Sequence, residues 1–221
     1  MKESAGTVRK KLVETGRKLA ERTLVVGPGG NISARSGNTV YLKASGIAFE
    51  EATGGDYLAV NIKTGKAPGT RRPSSELNMH LACYNLRPEI GAVVHTHPSY
   101  SVAYAMLGKP LKNFTPDLVA YVRTDTANLP YVMPAGKQLA AAVGKAIKKH
   151  NAVFLRNHGL LTVGVNLTEA YYRTLLIEEA AKTIIAAKTL GKMTYFTAKQ
   201  AKAIDSMDVE KYRRKLLGKM K

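Results

Sequence analysis

The spacing of apolar and polar positions changes several times along the chain. Over residues 5–22, Val8, Leu12, Leu19 and Ala20 recur at helical spacing, while Arg9, Lys10, Lys11, Arg17 and Lys18 fall largely elsewhere. That predicts an amphipathic helix. Residues 25–35 are a glycine-rich turn opening into alternation. Residues 39–43 and 57–62 read as strands, punctuated by turns at Ser45-Gly46 and Lys63-Thr64-Gly65-Lys66. Pro73-Ser74-Ser75-Glu76 predicts a helix start, with a serine as cap and Glu76 in the first turn. Leu77, Leu81 and Tyr84 mark that helix's buried side, and Pro88 ends it.

The second half alternates between the two periods. Residues 92–97 form a strand of β-branched residues stopped by Pro98, and residues 101–107 a short helix stopped by Gly108. Four prolines between positions 110 and 134 predict irregular or short elements. A helix follows at 137–150, then strands at 152–156 and 160–165, joined through Asn157-His158-Gly159. Thr168 is placed to cap a long helix that Gly191 ends, and residues 208–217 predict a last, basic helix. No repeat, linker or low-complexity tract divides the chain, so residues 1–221 read as a single domain.

Composition narrows the class. The 221 residues are 45% hydrophobic and 23% charged, ordinary for a soluble globular protein. No stretch approaches the roughly 20 consecutive apolar residues a membrane span needs, so no membrane partner is expected. Residues 1–21 carry charges throughout and lack the apolar run of a signal peptide. Cys83 is the sole cysteine, which fits a reducing compartment, and a cytoplasmic location is expected. Its neighbours Leu81, Ala82 and Tyr84 predict a buried thiol.

Charge adds one feature. Thirty-four Lys and Arg against 16 Asp and Glu give a net +18. Such a surface concentrates anions, whether nucleic acid, acidic lipid or phosphorylated metabolites. Lys10-Lys11, Lys148-Lys149 and Arg213-Arg214-Lys215 are spread over three helical segments. No aromatic platform or nucleic-acid motif accompanies them, so nucleic acid is not the expected partner.

The candidate chemistry begins at His95-Thr96-His97. Residues two apart on a strand project to one side, so two imidazoles leave the strand end together. That begins a site for a divalent metal such as zinc, which takes several nitrogen, sulfur or oxygen ligands. His158, in a turn next to a glycine, is a third candidate. Glu76 reads three ways: carboxylate ligand, general acid/base, or acid of a helix start. His80 sits at helical spacing with Leu77 and Tyr84 and is expected in or beside the core. His150 is expected at a helix C-terminus. A second group suits phosphate: open amides at Gly29-Gly30-Asn31, Ser45-Gly46, and the hydroxyls and helix start of Ser74-Ser75.

Five segments in order carry a resemblance. They are Gly-Asn-x-Ser-x-Arg at 30–35, Lys-x-Ser-Gly at 43–46, Pro-Ser-Ser-Glu at 73–76, His-Thr-His at 95–97 and Asn-His-Gly at 157–159. From about Val8 to Gly191 the chain resembles the class II aldolase/adducin superfamily, and within it the L-fuculose-1-phosphate aldolase branch. The resemblance implies an α/β domain with a central, largely antiparallel sheet covered by helices on both faces. It implies a C4 homotetramer with the active site at a subunit interface. Zinc, or another divalent metal, would be held by His95, His97 and His158. Glu76 would ligate it at rest and shuttle the proton at the reacting carbon. Phosphate would lie on Gly30, Asn31, Ser45, Gly46, Ser74 and Ser75. The implied reaction is reversible aldol cleavage of a ketose 1-phosphate to dihydroxyacetone phosphate and a short aldehyde. Cleavage leaves negative charge on the phosphate-bearing fragment, which a Lewis acid stabilises.

The resemblance departs at one place. Where the aldolases carry a tyrosine acid, this chain reads Asn113-Phe114-Thr115-Pro116-Asp117, with no tyrosine before Tyr121. Asp117 is the candidate acid/base there, and Tyr212 the candidate closing group from the C-terminal segment. Thr115 and Asp117 imitate the related sugar-phosphate 4-epimerases, although those carry Asp where this chain has Glu76. Dehydratases and decarboxylases of the superfamily are further alternatives. A non-catalytic, adducin-like scaffold predicts lost metal ligands, yet all are present.

Overall fold

The structure is a computed structural model describing residues 3–220. Met1 and Lys2, which begin the charged N-terminal segment, lie outside the described residues. In order the elements are α1 (Ala5–Glu21), β1 (Asn31–Ser36), β2 (Thr39–Lys43), β3 (Tyr57–Asn61), α2 (Leu77–Leu86), β4 (Ala92–Thr96) and α3 (Ser99–Ala105). They continue with β5 (Ala127–Leu129), α4 (Gly136–Ile147), β6 (Ala152–Leu155), β7 (Gly159–Gly164), α5 (Leu167–Leu190), α6 (Ala198–Ser206) and α7 (Asp208–Lys219). The strands form one 7-stranded sheet in the order β3-β2-β1-β4-β7-β6-β5. Every pairing is antiparallel except β5 with β6.

Alternation along the strands sorts the core onto two faces. On one, Val93 of β4, Val153 of β6 and Leu161 and Val163 of β7 meet Met79, Cys83 and Tyr84 of α2 and Val143 of α4. On the other, Ile32 and Val94 meet Leu12 and Leu19 of α1, while Phe154 and Leu160 meet Ile177 and Ile184 of α5. Each such aliphatic side chain contributes roughly 1.5–3 kcal/mol by leaving water. Helices therefore cover both faces, as expected. Cys83 is fully buried, and burial pushes its thiol up to about 12, which makes it an inert core residue.

Local differences from the sequence expectations have physical causes. Asn166, not Thr168, caps α5: its side-chain oxygen accepts from the Glu169 amide at 2.8 Å. Ser74 does not cap α2. Its hydroxyl accepts from the Glu76 amide at 3.3 Å, before the first helical turn, and Glu76 itself stands at the cap position. Its carboxylate bonds no amide of that turn and faces the sheet instead. The helix α6 was not expected: it is short and buries no residue, so Ala198, Ala201 and Ile204, though at helical spacing, mark no core. It is set instead by a capping box between Thr197 and Gln200. Within the proline-bearing stretch, β5 forms only by pairing with the distant β6.

Candidate metal and phosphate site

The strand β4 delivers two imidazoles to one end of the sheet. His95 is fully buried, and its Nδ1 donates to the Leu160 carbonyl at 3.0 Å, which leaves Nε2 as a bare lone pair. His97 lies one residue past the strand, held by its amide's bond to the Leu24 carbonyl (3.0 Å). The third imidazole comes from the turn joining β6 to β7, closed by the His158 amide on the Leu155 carbonyl (3.0 Å). Asn157 supplies the left-handed conformation there (φ 57°), which asparagine tolerates well. Gly159 makes the approach possible. A Cβ at that position would stand 2.4 Å from the Thr96 carbonyl and 2.7 Å from His97 Cδ2. Glu76 enters from the start of α2.

These groups form one cluster. The ligand atoms of His95, His97 and His158 all lie within 4.8 Å of one another. His95 Nε2 is 3.0 Å from His97 Nε2 and 3.1 Å from Glu76 Oε2, and His158 Nε2 is 3.4 Å from Glu76 Oε1. Neighbouring ligands on a tetrahedral zinc with bonds of about 2.0–2.1 Å are about 3.3 Å apart, so the set fits such an ion. A neutral His97 can donate from Nε2 to the bare His95 Nε2. Glu76 Oε1 and His158 Nδ1 are buried without a hydrogen-bond partner. Burial, and then the neighbouring imidazoles, push His97 down to about 3 and His158 down to about 4. Both are therefore neutral at pH 7. Burial alone would raise the Glu76 carboxyl, but the adjacent His95 and His158 imidazoles and the hydrogen bond from Asn31 outweigh it. They hold Glu76 well below the usual carboxylate range.

Behind the cluster runs a chain of buried polar groups. Asn31 Nδ2 donates to Glu76 Oε2 (2.9 Å). Asn31 Oδ1 lies 2.6 Å from His80 Nε2, His80 Nδ1 lies 2.7 Å from Ser33 Oγ, and Ser33 Oγ lies 2.8 Å from the Tyr84 hydroxyl. Burial pushes His80 down to about 3, with the nearby His95 adding to the shift and Glu76 opposing it. His80 was expected in the core and is there, but its bond to Asn31 was not foreseen. Helical spacing reports that a residue faces inward, not what it bonds.

The second group converges on a hollow of about 230 Å³ beside the histidine cluster. Gly30, Asn31, Ser45, Gly46, Ser74 and Ser75 all line it, together with Glu76, His97 and His158. Gly30 joins the two groups. Its φ is +66°, and a Cβ there would stand 2.7 Å from Val25 and 2.9 Å from the His95 carbonyl. Lys43 ties the three loops beneath the hollow. Its carbonyl accepts from the Ser74 amide (3.0 Å), and its ammonium donates to the carbonyls of Pro28 and Ile47. That ammonium lies 4.8 Å from the Phe49 ring, and burial, partly opposed by Glu50, lowers it to about 8. Its place in a Lys-x-Ser-Gly run was visible, but not this bridging.

Other candidates stay apart in this chain. Asp117 is exposed ahead of a π-helical turn at Leu118–Val122, and Tyr212 is 61% exposed on α7. Neither lines the hollow, nor does Thr115. His150 follows α4, and its Nδ1 donates to the Asp125 carbonyl (2.7 Å). No helix among the described residues is long and apolar enough to cross a membrane.

Known proteins resemble this chain in sequence and in fold. A family model described as "Class II Aldolase and Adducin N-terminal domain" matches residues 10–185. The chain is 38% identical over 166 residues to an L-fuculose phosphate aldolase of Methanococcus maripaludis, covering 75% of this chain and 89% of that protein. It is 34% identical over 186 residues to a 5-deoxy-D-ribulose 1-phosphate aldolase of Bacillus thuringiensis, covering 83% and 87%. A solved L-fuculose 1-phosphate aldolase superposes with a TM-score of 0.85 at 31% identity, covering 96% of this chain and 98% of that one.

Proposed function

Because the chain belongs to the class II aldolase and adducin family, we propose that it is a zinc-dependent aldolase cleaving a ketose 1-phosphate reversibly to dihydroxyacetone phosphate and a short aldehyde. The observation that carries this reading is the junction of two sites in one hollow. Three imidazoles and a carboxylate fit a divalent cation, and they stand beside three loops offering hydroxyls and amides to an anion. Phosphate on Gly30, Asn31, Ser45, Gly46, Ser74 and Ser75 would fix the substrate remote from the bond that breaks. His95, His97 and His158 would hold the cation, with Glu76 beside them. When bound, the cation supplies Lewis acidity toward the negative charge that cleavage leaves. Glu76 would move the proton at the reacting carbon, and its Oε1, which has no hydrogen-bond partner, is the free acceptor.

The reading extends to assembly. Asp117 and Tyr212 are exposed and lie outside their own chain's hollow, so a homotetramer with the site at a subunit interface would let a neighbouring copy supply an acid or closing group. A cytoplasmic location suits a lone, buried thiol.

The test has two arms. Elemental analysis should find stoichiometric zinc, or another divalent metal, in the protein and none after His95→Ala with His97→Ala. Metal that survives that double change removes the ligand assignment. Dihydroxyacetone phosphate and a panel of aldehydes should give a condensation product. No product from any aldehyde, with 4-epimer formed from ribulose 5-phosphate, would replace the aldolase by an epimerase.

A further inference from the structure

We propose that His80 is a positioning residue for the metal site: with Ser33 and Tyr84 it forms a one-way hydrogen-bond chain that fixes the Asn31 amide, so that Asn31 donates to Glu76 Oε2 and leaves Oε1 as the free oxygen. The inference deepens the metal reading above and rests on it.

The direction of the chain follows from donor and acceptor counting. A carboxylate only accepts, so the Asn31 group facing Glu76 Oε2 at 2.9 Å is its NH2. The carbonyl oxygen of Asn31 then faces His80 Nε2 at 2.6 Å and can only accept, so Nε2 carries the proton. A neutral ring protonated at Nε2 has a bare Nδ1. That nitrogen accepts from the Ser33 hydroxyl at 2.7 Å. With its hydrogen spent there, Ser33 Oγ accepts from the Tyr84 hydroxyl at 2.8 Å. Every proton in the chain is assigned, and each points toward Glu76.

Two features make the chain selective rather than merely satisfied. His80, Ser33 and Tyr84 are buried to within 2% of full enclosure, so no water can reverse a link. The pairing of β1 with β4 sets Asn31 opposite His95, which fixes the Asn31 backbone beside the cluster. The alternative Asn31 rotamer, with its oxygen toward Glu76, would set two acceptors face to face. Removing the His80 donor leaves the Asn31 carbonyl oxygen unpaired and Glu76 as the only group holding the amide. Such outer partners of metal ligands change affinity by about 10- to 100-fold when lost. The side chain of Asn31 is thereby committed to the metal end, and the phosphate rim is left to backbone and hydroxyl groups.

The ring itself is the first test. In metal-free protein labelled with [15N]histidine, long-range proton–nitrogen correlation should show His80 as the Nε2–H tautomer with Nδ1 bare, the signal being assigned by its loss in His80→Gln. A proton on Nδ1, or exchange between the two nitrogens, overturns the proposal. The second test is zinc affinity by chelator competition, with thermal melting alongside. His80→Gln keeps an amide donor for Asn31 and should bind within about threefold of wild type, whereas His80→Leu should bind about tenfold or more weakly. A purely structural role would lower the melting temperature of both and shift neither affinity, and that outcome overturns the proposal. Wild-type protein that takes up no metal removes the metal reading instead, while the tautomer still decides the direction of the chain.

Discussion

At one end of the hollow, Glu76 and the three histidines converge from β4, the β6–β7 turn and the start of α2, with His95 fully buried and Glu76 nearly so. At the other end, Ser45, Gly46 and Ser75 are exposed, and the loops offer hydroxyls and main-chain groups held from below by Lys43. The first site is defined by side-chain chemistry, the second by backbone conformation. A side-chain site fails when one group is removed. A backbone site fails when a conformation is made unattainable, and otherwise degrades gradually.

This contrast yields graded expectations. The largest effect belongs to Glu76→Gln, which keeps the shape and removes the base. Turnover should fall by about 100-fold or more while KM for the phosphorylated ketose changes little, as read by steady-state kinetics. Next comes Gly30→Ala, at the junction. Its positive φ, with contacts to Val25 and the His95 carbonyl, should cost about 1–3 kcal/mol of stability in a denaturant melt. It should injure metal binding and KM together. Damage to KM alone would show that the two ends are mechanically independent, and the contrast would become a separation.

Ser75→Ala tests the rim. It should raise KM about tenfold and leave bound metal and melting temperature unchanged. Loss of metal in that variant would falsify the division of the hollow into two ends. The last effect is one of pH and acts on stability rather than on turnover. The unfolded chain protonates His80 near 6.5, but the folded one does so only near 3. Its folded pKa is depressed, so the folded state loses stability as pH falls below 6.5, by about 1.4 kcal/mol per unit for this one group. In urea melts of metal-free protein between pH 4 and 6, His80→Gln should show an acid limb shallower by about one proton.

Much of this was legible in residue order. His95-x-His97 on a strand and His158 beside Gly159 pointed to a common side, and the three phosphate segments were visible as turns. Convergence was not, because it depends on β4 pairing with β1 and β7, which no local pattern encodes. Asn31 was read as a phosphate residue from its glycine neighbours, although its side chain bonds Glu76 and His80. Asn166 against Thr168 was a contest between two capping residues two positions apart, decided by which side chain meets the Glu169 amide. The helix α6 escaped because its few apolar positions are mostly alanines and none is buried, so they mark no core.

The β1–β4 pairing has a consequence for how the chain reaches this structure. Setting Asn31 opposite His95 fixes a register between segments far apart in sequence, and a slip of one residue would turn Asn31 to the other face of the sheet. The ligands for a cation then exist only in the correctly registered sheet. An ion held there would bind the native state and not the unfolded chain, and so would stabilise by mass action. Contacts absent from the folding transition state act on the unfolding limb. Metal added during refolding should therefore leave the folding rate alone and slow unfolding, acting as a latch on register rather than a nucleus for the fold.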